Sequence, residues 1–195
     1  MEKEIIQFDS AATAFYFNAD FDNLLALAPS ENIFILTDEN LMMHYQKELK
    51  PWRTIIIPAG EQAKSLETLD DVVRQLIALD AQRDALLIGF GGGVVTDIAG
   101  FVAGIYKRGV RCGFMPTSIL AMVDAAIGGK NGLDIGEYKN MMGLIRQPEF
   151  VLYNYAVLAT LPNEEWINGF AEIIKHAAIL DADMFGLLAQ NNIQS

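Results

Sequence analysis

Short apolar runs separated by amphipathic stretches define the predicted fold of this 195-residue chain. Five runs are rich in β-branched or aromatic residues and end at polar, glycine or proline residues, as buried strands do: 33–37, 54–57, 85–90, 112–115 and 150–153. Helices are expected over 40–50, after an N-cap at Ser65, and from the glycine triplet to about residue 106. The helix after Ser65 is expected to bury one face, formed by Leu66, Leu69, Val72, Val73, Leu76 and Ile77.

Strands that alternate with helices indicate an α/β fold, with a Rossmann-like parallel sheet, right-handed connections and flanking helices. The first thirty residues leave two choices open: 15–17 fit an edge strand or a hairpin, and 20–28 fit a short helix. Beyond residue 160 the pattern becomes helical, with a helix expected from Leu161-Pro162 to about Leu180. We therefore expect an α/β domain over 1–160, followed by the beginning of an α-helical domain over 161–195.

Polar and glycine motifs follow four of the predicted strands, at 38–40, 60–61, 91–97 and 117–118. Ligands of parallel α/β sheets gather at the carboxyl ends of the strands. The triplet Gly91-Gly92-Gly93 lets backbone approach a pyrophosphate, and the following helix, expected to open at Asp97, would direct free N–H groups at it. A nucleotide cleft is predicted here, although a glycine triplet after a strand is also typical of a plain turn.

A second glycine-rich stretch, 127–143, is expected to be a loop that carries Lys130, Lys139 and Asn140. Lysines in such a loop are suited to bind substrate oxygens. The alternative is a solvated surface loop with no ligand.

The formal net charge of −11 opposes binding to nucleic acid or to an anionic membrane surface. Attraction for a phosphate must therefore be local, and Lys107, Arg108 and Arg111, with Lys130 and Lys139, are its expected source. No apolar run reaches the length of a membrane span, and the N-terminus lacks the pattern of a signal peptide. With Cys112 as the only cysteine, no internal disulfide can form, so a cytoplasmic location is expected.

Five motifs in order resemble the 3-dehydroquinate synthase family: Gly91-Gly-Gly-Val-Val-x-Asp-x-Ala-Gly-Phe101, Pro116-Thr-Ser, Val123-Asp-x-x-x-Gly-Gly-Lys130, Lys139-Asn-Met-Met-Gly143 with Gln147-Pro148, and Gly169-x-Ala-Glu-Ile-Ile-Lys175. The resemblance implies conversion of 3-deoxy-D-arabino-heptulosonate 7-phosphate to 3-dehydroquinate in the shikimate pathway. It also implies NAD, a zinc or cobalt ion and a homodimer.

Site residues are carried over from the resemblance position by position. The nucleotide contacts fall on Asp38, Asn40, Glu61, Lys64, Gly92, Gly93, Asp97, Thr117, Ser118, Leu120, Lys130, Lys139, Thr160, Leu161 and Glu165. The substrate contacts, expected to be catalytic, fall on Asp124, Lys130, Lys139, Asn140 and Lys175, with Arg108 reaching the phosphate across a dimer interface.

Glu172 matches the metal ligand of the family. His176 lies one helical turn further and can face the same metal, but an exposed i,i+4 pair is the commoner case, and the resemblance leaves His176 outside the ligand set. The two histidines that complete the metal site of the family are expected beyond residue 195. His44, the other histidine of the chain, is expected at the surface.

Two departures from the family pattern are Thr96, where glycine is usual, and Ala125, where serine is usual. Thr96 is expected to tighten the approach to pyrophosphate or to cap the helix with its hydroxyl, and Ala125 to remove one polar contact. These departures leave open whether the substrate is the common one. The alternative enzymes are a related NAD-dependent sugar-phosphate cyclase and a polyol dehydrogenase. Because residues 191–195 do not resemble the end of a helical domain, we expect an inactive N-terminal fragment of a longer protein. A NAD-binding module without catalysis is the third alternative.

Overall fold

The computed structural model describes residues 2–9 and 11–190 of the chain. The strands in this part are β1 (Glu2–Gln7), β2 (Ala12–Phe17), β3 (Ile33–Asp38), β4 (Arg53–Ile57), β5 (Leu86–Gly91), β6 (Arg111–Pro116), β7 (Lys130–Ile135), β8 (Tyr138–Ile145) and β9 (Phe150–Tyr153). The α-helices are α1 (Glu39–His44), α2 (Gln46–Leu49), α3 (Leu66–Ala78), α4 (Gly93–Ile105), α5 (Asn163–Leu180) and α6 (Ala182–Gln190). Residues 191–195, on which the expectation of a longer protein rests, lie outside the described part.

Seven strands form the main sheet in the order β1-β2-β9-β6-β5-β3-β4. All neighbouring pairs are parallel except β1 and β2, which form an antiparallel hairpin at one edge. Strand β5, in the interior of the sheet, is buried along its whole length, because helices cover such a sheet on both faces. The predicted α/β fold with a parallel sheet and flanking helices is confirmed.

The structure corrects three sequence predictions. The helix expected over 40–50 is divided at Tyr45 into α1 and α2. Helix α4 begins at Gly93, so Asp97 lies in its second turn instead of opening it. Most of the stretch 127–143 lies in the β7-β8 hairpin and not in a loop. Strand β7 packs on α4 with Leu133 buried, whereas most of β8 is exposed.

The choices left open near the N-terminus are settled by the β1-β2 hairpin and by a 3-10 helix at Phe21–Ala26. The aromatic residues of β2 are not at the sheet edge, because β1 lies outside them.

Helix α3 begins as the sequence predicts. The Ser65 side chain accepts a hydrogen bond from the backbone N–H of Thr68 at 3.2 Å and caps the helix. The buried face is narrower than expected: Val72 and Leu76 are buried, whereas Ile77 is 63% exposed. One side of α3 therefore faces solvent despite its apolar residues.

The helical C-terminal part consists of α5 and α6, which pack on each other. The predicted start of α5 beyond Pro162 and its end at Leu180 are confirmed. Several of its large apolar side chains are exposed, among them Ile167 and Ile179. The domain boundary near Thr160 stays a prediction. Among the described residues, no helix combines the length and the apolar character needed to cross a bilayer.

Candidate nucleotide and metal site

The four polar motifs predicted to share one edge of the sheet do follow the carboxyl ends of β3, β4, β5 and β6. Beside them lies a cleft of about 560 Å³, whose lining includes Lys64, Asp97, Asp124, Lys130 and Asn140. A cleft of this size falls in the range of small-molecule sites. The structure thus brings together five of the residues that the resemblance assigns to nucleotide or substrate.

The start of α4 presents free backbone N–H groups. Gly92 is the N-cap residue, and no side chain caps this helix end. The first hydrogen bond within the helix runs from the Thr96 N–H to the Gly92 carbonyl, at 3.1 Å. Within the described part of the chain, a Cβ built on Gly92 would meet only Ser118 Oγ, at 3.6 Å, which leaves space in front of this turn for a ligand. The arrangement fits the pyrophosphate of a dinucleotide.

Lys64 is the charged centre of the cleft. Its ammonium lies 2.5 Å from a carboxylate oxygen of Asp97 and donates a hydrogen bond to Asn140 Oδ1 at 2.6 Å. Burial raises the pKa of Asp97, whereas the hydrogen bond and the charge of Lys64 lower it. The three side chains come from three distant parts of the chain and hold one another in place.

Asp38 has a structural partner as well as its expected nucleotide contact. Its carboxylate caps α1 by accepting the Leu41 N–H at 3.0 Å, and burial raises its pKa. The hydroxyl of Tyr45 lies 3.0 Å from Thr160 Oγ1 and donates to the Val157 carbonyl at 3.2 Å. Tyr45 therefore fixes α1 against the turn that carries Thr160.

The β7-β8 hairpin carries the predicted lysines. Lys130 is the first residue of β7 and lines the cleft. The Lys139 ammonium lies 3.4 Å from Glu61 Oε1. This ion pair joins the hairpin to the turn after β4, and both of its residues are predicted to contact the nucleotide. Asn140 has a left-handed backbone conformation with φ of 56°. Lys130 and Asn140 thus reach the cleft from the two strands of the hairpin.

Asp124 lies in a π-helical turn, Ala121–Ala125, a type of turn that is frequent at functional sites. One ligand atom each of Asp124, Glu172 and His176 lies within 4.8 Å of the others. His176 Nε2 is 3.0 Å from Glu172 Oε1, and the Lys175 ammonium contacts the same oxygen. The hydrogen bond from Lys175 is the main cause of a lowered pKa of Glu172. Two carboxylates and an imidazole form a donor set that suits zinc.

Three of the cations expected to attract phosphate lie elsewhere. Arg111, at the amino end of β6, pairs with Glu149 at 2.7 Å and donates to the Leu27 carbonyl. Lys107 and Arg108 follow α4, a 13-residue helix about 20 Å long, at the end opposite Gly92. Lys107 donates to Gln82 at 3.0 Å. The expectation is wrong for Arg111, because it lies at the end of β6 opposite the cleft edge and is paired with Glu149. The lining of this chain's cleft does not include Arg108.

The remaining predicted contacts border the same sheet edge or α5. Asn40 is in the first turn of α1, Thr117 and Ser118 follow β6, and Leu120 precedes the π-helical turn. Thr160 and Leu161 close the 3-10 helix Tyr155–Thr160, and Glu165 is in the first turn of α5. Their contacts with a nucleotide stay predictions. His44 is exposed at the end of α1, as expected.

The two departures from the family pattern have local roles. The Thr96 hydroxyl donates to the Gly93 carbonyl at 3.0 Å, inside the helix, so it does not cap the helix start. A Cβ on Gly93 would lie 3.3 Å from the methyl group of Ala125, so these two small residues pack closely.

Sequence reasoning missed side chains that act through hydrogen bonds to distant backbone. The buried Tyr153 donates to the Met122 carbonyl at 3.0 Å and supports the π-helical turn, and burial raises its pKa to about 12. Tyr45, described above, is a second case. The only sequence signal is an aromatic residue with a hydroxyl at the end of an apolar run, which does not reveal the partner.

The sequence model described as "3-dehydroquinate synthase N-terminal" matches residues 54–168, more than half of the chain. The chain belongs to the 3-dehydroquinate synthase family. A 3-dehydroquinate synthase of Pyrococcus abyssi (strain GE5 / Orsay) is 52% identical over 134 residues, which are 69% of this chain and 40% of that protein. One of Shouchella clausii (strain KSM-K16) is 42% identical over 170 residues, which are 85% and 47% of the two chains. This family member therefore spans a little under half of the length of these relatives.

A solved structure supports the fold of the family. It is 2-epi-5-epi-valiolone synthase from Streptomyces hygroscopicus subsp. jinggangensis 5008, with NAD+ and Zn2+ bound, and it superposes with a TM-score of 0.83 at 31% sequence identity. The match covers 95% of this chain and 54% of that one. The predicted family resemblance is confirmed.

Proposed function

We propose that this chain is the nucleotide-binding part of a 3-dehydroquinate synthase, a carbon-oxygen lyase that converts 3-deoxy-D-arabino-heptulosonate 7-phosphate to 3-dehydroquinate and phosphate in the shikimate pathway. The observation that carries the proposal is that the Lys64–Asp97 pair and the lysine-bearing hairpin line one cleft. The uncapped start of α4 lies beside this cleft, because a Cβ on Gly93 would be 3.3 Å from the methyl group of the lining residue Ala125. The proposed reaction is the one that the resemblance to the 3-dehydroquinate synthase family implies.

NAD would lie with its pyrophosphate at Gly92 and Gly93, where a side chain is missing and backbone N–H groups are free. When bound, NAD would supply hydride transfer: the hydride would come from the ring carbon that bears the oxidised hydroxyl, the hydroxyl would lose its proton, and the later return of the hydride would leave no net NADH. Asp38, Lys64 and Asp97 would fix the rest of the nucleotide. Because α1, α4 and the turn before Lys64 already hold these groups, little ordering is needed on binding.

A divalent zinc or cobalt ion, when bound, would polarise the hydroxyl that is oxidised. Glu172 is the proposed ligand common to the family, and Asp124 and His176 lie close enough to contribute. The two histidine ligands that the resemblance implies are not in this chain, where His44 is exposed and distant in sequence. Because the Lys175 ammonium already contacts Glu172 and the His176 side chain is 43% exposed, we infer that the 195 residues hold the ion weakly and do not complete the reaction alone.

The substrate carries a phosphate and a carboxylate, and the hairpin and α5 offer cations for both. Lys130 lines the cleft, and the Lys175 ammonium lies at Glu172. Asn140 would orient a substrate oxygen while it accepts from Lys64. Charge-assisted hydrogen bonds of this kind hold a dianion in the geometry that phosphate elimination requires.

Arg108 would act in a homodimer. It lies about one helix length from the start of α4, at a turn in which Lys107, Arg108 and Gly109 all have positive φ. The Arg108 side chain is exposed and so is accessible to a second chain. We propose that Arg108 reaches the phosphate in the partner subunit, and that the enzyme is a cytoplasmic homodimer.

A polyol dehydrogenase is the second candidate. It shares the need for NAD and a metal, but a simple polyol has no phosphate or carboxylate for Lys130 and Lys175 to bind. The protein encoded by the complete reading frame that includes this chain is expected to release one phosphate per heptulosonate phosphate, with no net NADH. Net NADH from a polyol, without phosphate release, would instead establish the dehydrogenase.

The same assay on the 195-residue chain, with NAD and zinc added, is expected to give no phosphate release. Zinc retained after dialysis should be below one equivalent. Stoichiometric zinc together with sustained phosphate release would place the complete metal site within these residues and refute the assignment of ligands elsewhere.

A further inference from the structure

Asp134 lies opposite an irregular segment of the β7-β8 hairpin. Leu133 pairs with Met142, whereas Ile135 pairs with Tyr138. Three residues of β8, 139–141, therefore face the single residue Asp134. Extra residues in one strand form a bulge, which bends the strand and redirects its side chains, frequently beside active sites. This bulge carries Lys139 and Asn140.

The carboxylate of Asp134 holds the bulge in shape. Its Oδ1 accepts the backbone N–H of Asn140 at 2.7 Å. Asn140 has φ of 56°, in the left-handed region that non-glycine residues adopt at an energetic cost. A hydrogen bond from this N–H to a carboxylate offsets part of that cost, because charge-assisted bonds are stronger than neutral ones.

Asp134 also joins the bulge to the charged centre of the cleft. Its own backbone N–H donates to the Lys64 carbonyl at 2.9 Å. The Lys64 ammonium in turn donates to Asn140 Oδ1 at 2.6 Å. Lys64 and Asn140 thus contact each other directly through their side chains. Each is also bonded to Asp134 through its backbone: the Lys64 carbonyl accepts the Asp134 N–H, and the Asn140 N–H donates to the Asp134 carboxylate. Asp134 therefore completes a ring of hydrogen bonds with Lys64 and Asn140.

We propose that Asp134 is a positioning residue, which fixes Asn140 and Lys139 in the bulge and sets them against Lys64 and Glu61. The inference rests on the proposed function, because it takes the cleft as the site of NAD and substrate. Asp134 acts through its neighbours. A ligand would therefore meet the side chains that Asp134 orders and not Asp134 itself.

Three variants of the 195-residue chain test the proposal. Asp134→Ala removes the acceptor, Asp134→Asn keeps an oxygen acceptor at the same place, and Glu137→Ala removes one acidic charge from the exposed tip of the same hairpin. No side-chain partner of Glu137 is seen in the described part of the chain. Glu137→Ala therefore controls for the change in charge.

The first readout is the amide proton resonance of Asn140 in a two-dimensional nitrogen-proton spectrum. In the wild type it should lie downfield, as amides bound to carboxylates do. Asp134→Ala should move it upfield, Asp134→Asn should leave it partly downfield, and Glu137→Ala should leave it unchanged. An unchanged Asn140 resonance in Asp134→Ala would overturn the proposal, whether or not the chain binds NAD.

The second readout is the affinity for NAD, measured by calorimetry together with the thermal midpoint of each variant. Asp134→Ala should weaken binding roughly fivefold, while Asp134→Asn restores most of it and Glu137→Ala has wild-type affinity. A loss in Asp134→Ala that Asp134→Asn does not restore, or wild-type affinity in a folded Asp134→Ala, contradicts a positioning role. Absence of binding to the wild-type chain refutes the proposed function instead, and the Asn140 resonance then decides the inference.

Discussion

The ammonium of Lys64 and the carboxylate of Asp97 lie 2.5 Å apart, with only 7% and 18% of the two side chains exposed. Lys64 ends the 3-10 helix after β4, and Asp97 is in the second turn of α4. The pair therefore joins two segments that border the cleft. Removing one member of an ion pair this well shielded is costly, because the remaining charge loses its partner while it stays largely shielded from water.

Replacing Lys64 by Met is expected to lower the free energy of unfolding by about 3 kcal/mol at neutral pH. The double variant Lys64→Met/Asp97→Asn should recover part of that loss, since no charge is left unpaired. Urea denaturation of both variants measures the difference. Equal losses in the two variants would indicate that packing, not the uncompensated carboxylate, causes the effect.

The loss in Lys64→Met should depend on pH. Burial raises the pKa of Asp97 above its ordinary value of 3.8, and removal of Lys64 takes away the main opposing influence. A carboxyl group whose pKa is raised in the folded state stabilises the fold below its unfolded pKa, and that contribution is lost as the pH rises through the folded pKa. Lys64→Met should therefore be close to the wild type near pH 4 and increasingly destabilised toward pH 7. A deficit that shrinks as the pH rises would contradict this sign.

Arg146 attaches the base of the β7-β8 hairpin to α4. Its guanidinium donates to the Ala103 carbonyl at 2.5 Å and to the Val110 carbonyl at 2.6 Å. Arg146→Ala should lower the free energy of unfolding by about 1.5–3 kcal/mol, the range for bonds to charged groups. Arg146→Lys should not restore it, because a single ammonium lacks the planar fork that serves two carbonyls.

Arg74→Ala is the matched control, since Arg74 is 73% exposed and pairs with Asp70 on the surface of α3. It should change stability by less than about 0.5 kcal/mol. Chemical denaturation of the three variants checks the ranking. A loss in Arg74→Ala as large as that in Arg146→Ala would show that removing any arginine destabilises this acidic chain.

Cys112 should be unreactive in the folded protein. It is buried in β6, and burial raises the pKa of its thiol to about 12. Because the thiolate is the reactive form, a thiol reagent such as DTNB at about pH 8 should label Cys112 only after denaturant is added. Stoichiometric labelling in native buffer within minutes would show that β6 opens readily.

The strands and the cleft edge were predictable from sequence because their signals are local. Each buried strand is an uninterrupted apolar run, and each motif follows such a run directly, as Gly91 follows 85–90. Parallel strands must end at one edge, so residues far apart in sequence, such as Asp38 and Ser118, could be assigned to the same edge without coordinates.

The hairpin and its anchors could not be predicted in this way. Its glycines indicate a loop by composition, but Gly100 leaves space on α4 for the Asn131 side chain, which lets β7 pack closely. Arg146 looks like a surface charge until its two carbonyl partners are known, and Arg111 looks like a phosphate ligand until Glu149 is seen beside it. These outcomes depend on contacts between distant residues, which no periodicity encodes.

Calorimetric titration of NAD into the 195-residue chain tests most directly the claim that these residues form a nucleotide cleft. We expect the wild-type chain to bind one NAD. Gly92→Val should bind NAD about tenfold more weakly or worse, a loss of about 1.4 kcal/mol or more, because the valine side chain would occupy the free space at the start of α4. Gly186→Ala, a change in open space on α6, should bind as the wild type does. No heat of binding with the folded wild-type chain, or equal affinity in a folded Gly92→Val, would contradict the account.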